Sequence, residues 1–193
     1  MKFDPTIVQT RVASPLGNII LAATASGLAG LWFAEGQRYL PSALAASPAA
    51  QPPEGAERTP AASRRTPPWP DAPDHPLLKQ ASAQLAEYFA GQRRHFELPL
   101  DLSGGTAFQQ SVWRALLEIA PGSTVSYSHI SARIGKPGAV RAVGAAIGRN
   151  PVSLIVPCHR VLGASGALTG YAGGLDRKAA LLRLEGALQE KLL

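Results

Sequence analysis

A single cysteine, Cys158, in 193 residues leaves no disulfide framework, and four histidines scattered at positions 75, 95, 129 and 159 leave no multi-cysteine zinc site. Such a chain suits a reducing compartment. No stretch approaches the roughly 20 apolar residues of a membrane span, and the opening MKFDPTIVQT lacks the basic and then apolar run of a secretion signal. The expectation is a cytoplasmic protein with no membrane partner. Acidic residues are scarce in one region: none lies between Glu118 and Asp176, while Arg133, Lys136, Arg141, Arg149 and Arg160 all do. The 19 Lys+Arg and 13 Asp+Glu give a net charge of +6. Residues 1–105 balance, with nine of each sign, whereas residues 106–193 hold ten bases and four acids. A basic stretch without acids suits a polyanion, with a solvated basic surface as the alternative.

What is present divides the chain in two. IVQTRVASPLGNIILAATASGLAGLWFAEG reads as short strands broken at Pro15-Leu16-Gly17-Asn18 and Ser26-Gly27, which predicts a small antiparallel sheet. From Pro41 to Pro76 Ala, Pro and Ser dominate, with ten of the 17 prolines, so no amphipathic period runs through it. It reads as a flexible insertion. Leu77 to Phe89 has helical spacing at Leu78, Leu85 and Phe89 and stops at Gly91. FELPLDLSGG then leads out as an extended linker, placing an N-terminal α/β domain at 1–104 and a second domain at 105–193.

In the second domain Thr106 suits the cap of a helix with Phe108, Val112, Leu116 and Ile119 on one stripe, closed by Pro121-Gly122. Ser126 suits the cap of a short helix from Tyr127 to Ile134. GKPG separates it from another, Ala139 to Gly148, which Asn150-Pro151 ends. Two short helices around a glycine turn inside the basic stretch read as a helix-turn-helix. The second of them is nearly bare: Ala139, Ala142, Gly144, Ala145, Ala146 and Gly148 leave Arg141 as its one long polar side chain before Arg149. Reading base edges needs more such side chains. A bare face instead permits close approach to a nucleic-acid backbone with one long residue entering the stack, or plain helix-helix packing.

The β-branched run PVSLIV ends at Pro157-Cys158-His159-Arg160, so the lone Cys stands beside a His. A thiolate is the strongest side-chain nucleophile near neutral pH, and neighbouring His and Arg favour it. In an extended strand adjacent side chains point to opposite faces, so proton transfer between them needs a bend or a bridging water. A buried small hydrophobe is the alternative role for Cys158.

From Phe108 to Gly186 the motifs FQQSVW, SYSHIS, VRAVGAAIGRNP, VPCHRV, LTGYAGGL and LLRLEG follow in order, and together they resemble the O6-alkylguanine-DNA alkyltransferases. SPLG near the start and EYFAGQRRHFELPLDL before the linker extend the likeness more weakly into the first half. The resemblance implies a DNA repair protein that takes the alkyl group of O6-alkylguanine, and of O4-alkylthymine, irreversibly onto Cys158. It implies that His159 deprotonates Cys158 through a water, that Glu185 orients the imidazole, and that Asn150 sits at the hinge between the DNA-reading helix and the active-site segment. Spacing alone favours the plainer readings, Glu185 as a solvated acid on the last helix and Asn150 as a helix stop before Pro151. The same resemblance makes Arg141 the finger that fills the vacated base stack and Tyr127 the residue that rotates the nucleotide. It also implies that Val161, Tyr171 and Ala172 line the pocket, with Gly170, Gly173 and Gly174 in its wall. A phosphate-contacting Arg and a core Tyr are the alternatives for Arg141 and Tyr127.

Displacement in line with the departing oxygen requires the base to leave the duplex. A thioether is stable, so each molecule is expected to act once; the expected partner is double-stranded DNA, with the protein a monomer and no metal or organic cofactor required. The structural zinc of some relatives lacks ligands here. EIAPGS departs from the family's Ile-Pro-x-Gly by one Ala, at a helix end. The implied fold is α+β: a ribonuclease-H-like N-terminal antiparallel sheet domain and a mainly helical C-terminal domain with the helix-turn-helix. Two rival readings are a DNA-binding module or lesion sensor without transfer, and a Cys-His hydrolase, which would need an oxyanion hole.

Overall fold

The computed structural model describes residues 3–45 and 68–188. Its first element is an antiparallel sheet of β1 (Val8–Val12), β2 (Ile19–Thr24) and β3 (Gly27–Phe33), in that spatial order. The predicted turns make the hairpins. Gly17 takes φ +104° between β1 and β2, with Ser14 Oγ donating to its carbonyl at 2.6 Å. Alternation along β2 then sorts side chains to two faces. Ile19 and Leu21 join Leu78, Leu85 and Tyr88 on one side, while Ile20 and Ala22 join Ile7 and Trp32 on the other. Gly30 is required by packing: a Cβ there would sit 1.9 Å from the Trp32 ring, which crosses over it.

Helix α1 (Ser42–Ala45) and Trp69 complete the second face. Trp69 meets Phe3 at 5.0 Å and Trp32 at 5.9 Å between ring centroids. Asp71 bridges Gln9 on β1. The ends of the Pro41–Pro76 segment are thus packed rather than flexible, because their aromatic and apolar side chains cover a sheet face. The remainder of that segment, 46–67, lies outside the described residues.

Helix α2 (Pro76–Phe89) begins one residue before its predicted start, with proline in its first turn, and is followed by Gly91 at φ +74°. The linker pairs with β3: Leu28 N–H donates to Pro99 O at 2.8 Å and Asp101 N–H to Leu28 O at 2.9 Å. Helix α3 (Ala107–Leu117) starts from the expected Thr106, whose side chain and that of Gln109 form a reciprocal capping box. Strand β4 (Val125–Ser126) runs into α4 (Tyr127–Arg133), capped by Ser126. Gly135, at φ +70°, makes the turn toward α5 (Val140–Gly148). Trp113 of α3 donates its indole N–H to Ala146 O of α5 at 2.9 Å, tying the helix-turn-helix to the core.

After α5 the chain returns to the N-terminal sheet. Leu31 N–H donates to Pro151 O at 2.8 Å and Ser153 N–H to Leu31 O at 3.1 Å. Strand β5 (Val161–Leu162) pairs in parallel with β4, and α6 (Leu175–Leu184) closes the described fold. The expected α+β architecture is observed, and the two halves share one hydrophobic core that runs from Leu31, Phe33 and Tyr88 to Val152, Val156 and Cys158. Among the described residues no helix is long and apolar enough to cross a membrane.

Candidate active site

The apolar run 151–156 is buried throughout and ends in a 3-10 turn, Cys158–Arg160, not in extended strand. The turn is the bend that the strand reading lacked. With about three residues per turn, adjacent side chains diverge by a third of a circle and both stay inside the protein. Pro157 occupies the cap position of the turn, and Cys158 N–H donates to Val156 O at 2.7 Å.

Asn150, directly after α5 and its cap Arg149, folds back over this loop. Its Nδ2 donates to Val156 O at 2.7 Å and to Cys158 Sγ at 3.1 Å, while its Oδ1 accepts from Val152 N–H at 3.0 Å. One buried amide therefore joins the end of the helix-turn-helix to the thiol. Cys158 is 3% exposed. Burial pushes its pKa up, and the Asn150 hydrogen bond and the nearby Lys178 charge pull against that rise. The resting group is a thiol that needs a base.

His159 is wholly buried. Its Nε2 lies 3.0 Å from Glu185 Oε1. Burial lowers its pKa against the opposing pull of Glu185, so the ring is neutral near pH 7. Because a carboxylate has no proton to give, Nε2 carries the hydrogen and Nδ1 keeps a lone pair. That Nδ1 is buried with no hydrogen-bond partner among the described residues. Glu185 caps α6 and takes Arg160 in a fork, Nε to Oε2 and Nη2 to Oε1, both at 2.8 Å. Burial alone would raise its pKa, but the hydrogen bonds and charges of His159 and Arg160 outweigh it and hold the carboxyl well below the usual range.

Arg160 thus belongs to the interior, although its position in the acid-free stretch suggested a basic surface. It is 6% exposed and also donates to Ile119 O. Arg133 is paired with Glu118. Lys136, Arg141 and Arg149 stay exposed, with Arg149 stacked 5.3 Å from the Tyr39 ring.

Beside the helix-turn-helix lies a groove of about 300 Å³ whose lining includes Arg38, Tyr127, Gly144, Tyr171 and Ala172. Tyr127 donates its hydroxyl to Thr169 O at 3.2 Å and Gly170 O at 3.3 Å. The Tyr127 ring lies beside Gly144 of α5, where an added Cβ would make ordinary van der Waals contact at 3.7 Å. Tyr171 is buried with its hydroxyl unpartnered among the described residues, and Ala172 O accepts from Arg38 N–H at 2.8 Å. The structure therefore brings Cys158, His159, Glu185 and Asn150 into one buried cluster and puts Tyr127, Tyr171 and Ala172 on the groove. Val161 is buried in β5 with its carbonyl turned to Lys178, and Arg141 stands exposed near the start of α5, away from the groove lining.

Two buried groups escaped the sequence reading. Lys178 donates to Val161 O and Thr169 O, each at 2.6 Å, and burial brings its pKa down to about 8. Tyr88, from α2, donates to Glu185 Oε1 at 2.8 Å. A signal for the first exists in the sequence: Lys178, Leu181, Leu182 and Glu185 have helical spacing, so two charges ride on the apolar face of α6. Among the described residues no group of three His, Cys, Asp or Glu side chains is placed to hold a metal ion.

Comparison with known proteins covers both halves. Residues 7–102 match the ribonuclease-like domain of 6-O-methylguanine DNA methyltransferase, and residues 107–187 match its DNA-binding domain. A methylated-DNA--protein-cysteine methyltransferase of Mycobacterium leprae is 45% identical over 172 residues, 89% of this chain and 88% of the relative. The crystal structure of Mycobacterium tuberculosis O6-methylguanine methyltransferase superposes with a TM-score of 0.74 at 43% identity, covering 96% of this chain and 97% of that one. A Mycobacterium tuberculosis structure of the protein in complex with DNA gives 0.73 at 43% identity, covering 93% of each chain.

Proposed function

The chain belongs to the 6-O-methylguanine DNA methyltransferase family, and from that premise we propose how its own residues carry out the repair. It is a methylated-DNA--protein-cysteine methyltransferase that binds DNA and removes the alkyl group by direct transfer to itself. Cys158 is the nucleophile. His159 Nδ1 takes the thiol proton through one bridging water, and Glu185 steadies the imidazolium that forms. Sulfur then attacks the alkyl carbon from the side opposite O6, the C–S bond forms as the C–O6 bond breaks, and the freed guanine gains a proton at N1. The proton lost by the thiol balances the one gained by the base, and the thioether ends the life of the reagent.

The single observation that supports this reading is the buried cluster of two hydrogen-bonded pairs, Asn150 with Cys158 and His159 with Glu185, joined at adjacent residues of one 3-10 turn and set beside a groove on the helix-turn-helix. The target base must be extruded to reach it. Arg141 fills the gap left in the stack, and Tyr127 crowds the nucleotide's phosphate and meets the base. Tyr171 and Ala172 form the pocket wall, and Asn150 keeps the hinge between α5 and the Cys158 turn. O4-alkylthymine is a second substrate. One chain carries every group of the relay, so a monomer suffices, and a free catalytic thiol acting on DNA suits a cytoplasmic protein.

The test is a titration of duplex DNA bearing radiolabelled O6-methylguanine. One equivalent of label moves to protein in wild type and none in Cys158→Ala, which still binds the duplex. Catalytic turnover, or transfer that survives Cys158→Ala, would overturn the reading.

A further inference from the structure

The N-terminal domain reaches into the relay at one atom. Glu185 Oε1 accepts three hydrogen bonds: from His159 Nε2 at 3.0 Å, Arg160 Nη2 at 2.8 Å and Tyr88 OH at 2.8 Å. Arg160 already fixes the carboxylate through its fork, so the Tyr88 hydroxyl is not needed to orient it. Tyr88 comes from α2, nearly a hundred residues before Glu185, and is 2% exposed. Its ring is held by Phe89 at 5.5 Å and Phe96 at 5.3 Å between centroids. A buried phenol would find its partner elsewhere only at the cost of an unpaired polar group.

We infer that Tyr88 is a positioning residue of the alkyl-transfer relay: its hydroxyl shares Glu185 Oε1 with His159 and so sets how strongly the carboxylate holds the imidazole. This rests on the transfer mechanism given above. Each donor on an oxygen draws on the same negative charge, and the charge spent on Tyr88 is unavailable to the imidazolium. Without the hydroxyl, Glu185 holds protonated His159 more tightly, and the ring stays charged to higher pH. A protonated ring cannot accept the Cys158 proton. The other groups facing this centre are unchanged by the substitution: Arg160 from the 3-10 turn, Lys178 from α6, and Cys158 and Tyr171 on the groove side.

Tyr88→Phe keeps the ring and removes the oxygen. Single-turnover methyl transfer from an O6-methylguanine duplex, measured from pH 5 to 9, is expected to show an acid limb displaced upward by about half a unit. That is about threefold slower transfer on the limb, with wild-type and variant curves converging above it. Phe96→Leu loosens the same ring while leaving the hydroxyl, and is expected to lower the melting temperature without moving the limb. A Tyr88→Phe profile that superposes on wild type overturns the inference, as does one lowered equally at every pH, which would make Tyr88 a packing residue only. Failure of wild type itself to transfer would overturn the mechanism beneath it, and the two failures are told apart by the wild-type curve alone.

Discussion

Glu185→Gln is the perturbation whose consequences the structure determines most fully. The side chain keeps its size, but an amide NH2 replaces one oxygen of a carboxylate that accepts four donors. Arg160, only 6% exposed, keeps Ile119 O and one amide oxygen as acceptors but loses its counter-ion. Breaking one side of a buried ion pair costs about 3–5 kcal/mol. Against the roughly 5–15 kcal/mol that separates folded from unfolded domains, the variant still folds. For a chain of this size that loss lowers the melting temperature by roughly 6–20 °C.

The difference has a defined pH dependence. Glu185 titrates lower in the folded protein than in the unfolded chain, so its stabilisation is fully present above the unfolded value, about 4.3, and is lost as pH falls through the folded one. The gap between wild type and variant is therefore widest near pH 7 and narrows below pH 4. His159 also loses its anion, and methyl transfer at pH 7.5 falls about a hundredfold, the lower range for a disabled general base. Calorimetry against pH and single-turnover transfer check both. A variant within 2 °C of wild type at pH 7, or within twofold in rate, would refute the relay.

Other perturbations isolate single contacts. Asn150→Ala leaves the buried Val152 N–H without its Asn150 partner and Val156 O with Cys158 N–H alone, costing about 2 kcal/mol by denaturant unfolding, and slows iodoacetamide alkylation of Cys158 because the thiol loses a hydrogen bond. Lys178→Met removes a positive charge that favours the thiolate, so the same alkylation at pH 8 slows. Lys178 titrates near 8 when folded and higher when unfolded, so in wild type it makes stability rise from pH 8 to about 10.4, and the variant loses that rise. Arg141→Ala impairs repair of duplex DNA more than transfer from a free alkylated base, because only the duplex needs extrusion. Equal losses on both substrates would make Arg141 a pocket or folding residue.

Local signals carried the helices. Thr106, Ser126 and Gly91 mark ends that the sequence states through capping and backbone freedom, and the observed boundaries fall within a residue or so of them. The Cys158 region was less legible. Its β-branched residues suggest strand, yet only Leu31 of β3 pairs with it, and the chain then tightens into a 3-10 turn under the hold of Asn150. Arg160 looked like its basic neighbours because nothing local distinguishes it; its acid partner lies 25 residues away in sequence. Tyr88 is read most simply as a core aromatic, and its ring is one. Only the tertiary packing of α2 against the end of α6 gives its oxygen a partner. Packing at Ser42–Ala45 and Trp69 was likewise invisible in a proline-rich composition, since it depends on the far face of the sheet.

The most direct test of the account is intact-protein mass spectrometry after incubation with a duplex carrying one O6-methylguanine, followed by peptide mapping around the lone cysteine. The account predicts one added methyl group per molecule, located on Cys158, with the guanine restored in equal amount. An unchanged protein mass with the damaged duplex still bound would contradict it and leave the chain a sensor of the lesion it was expected to repair.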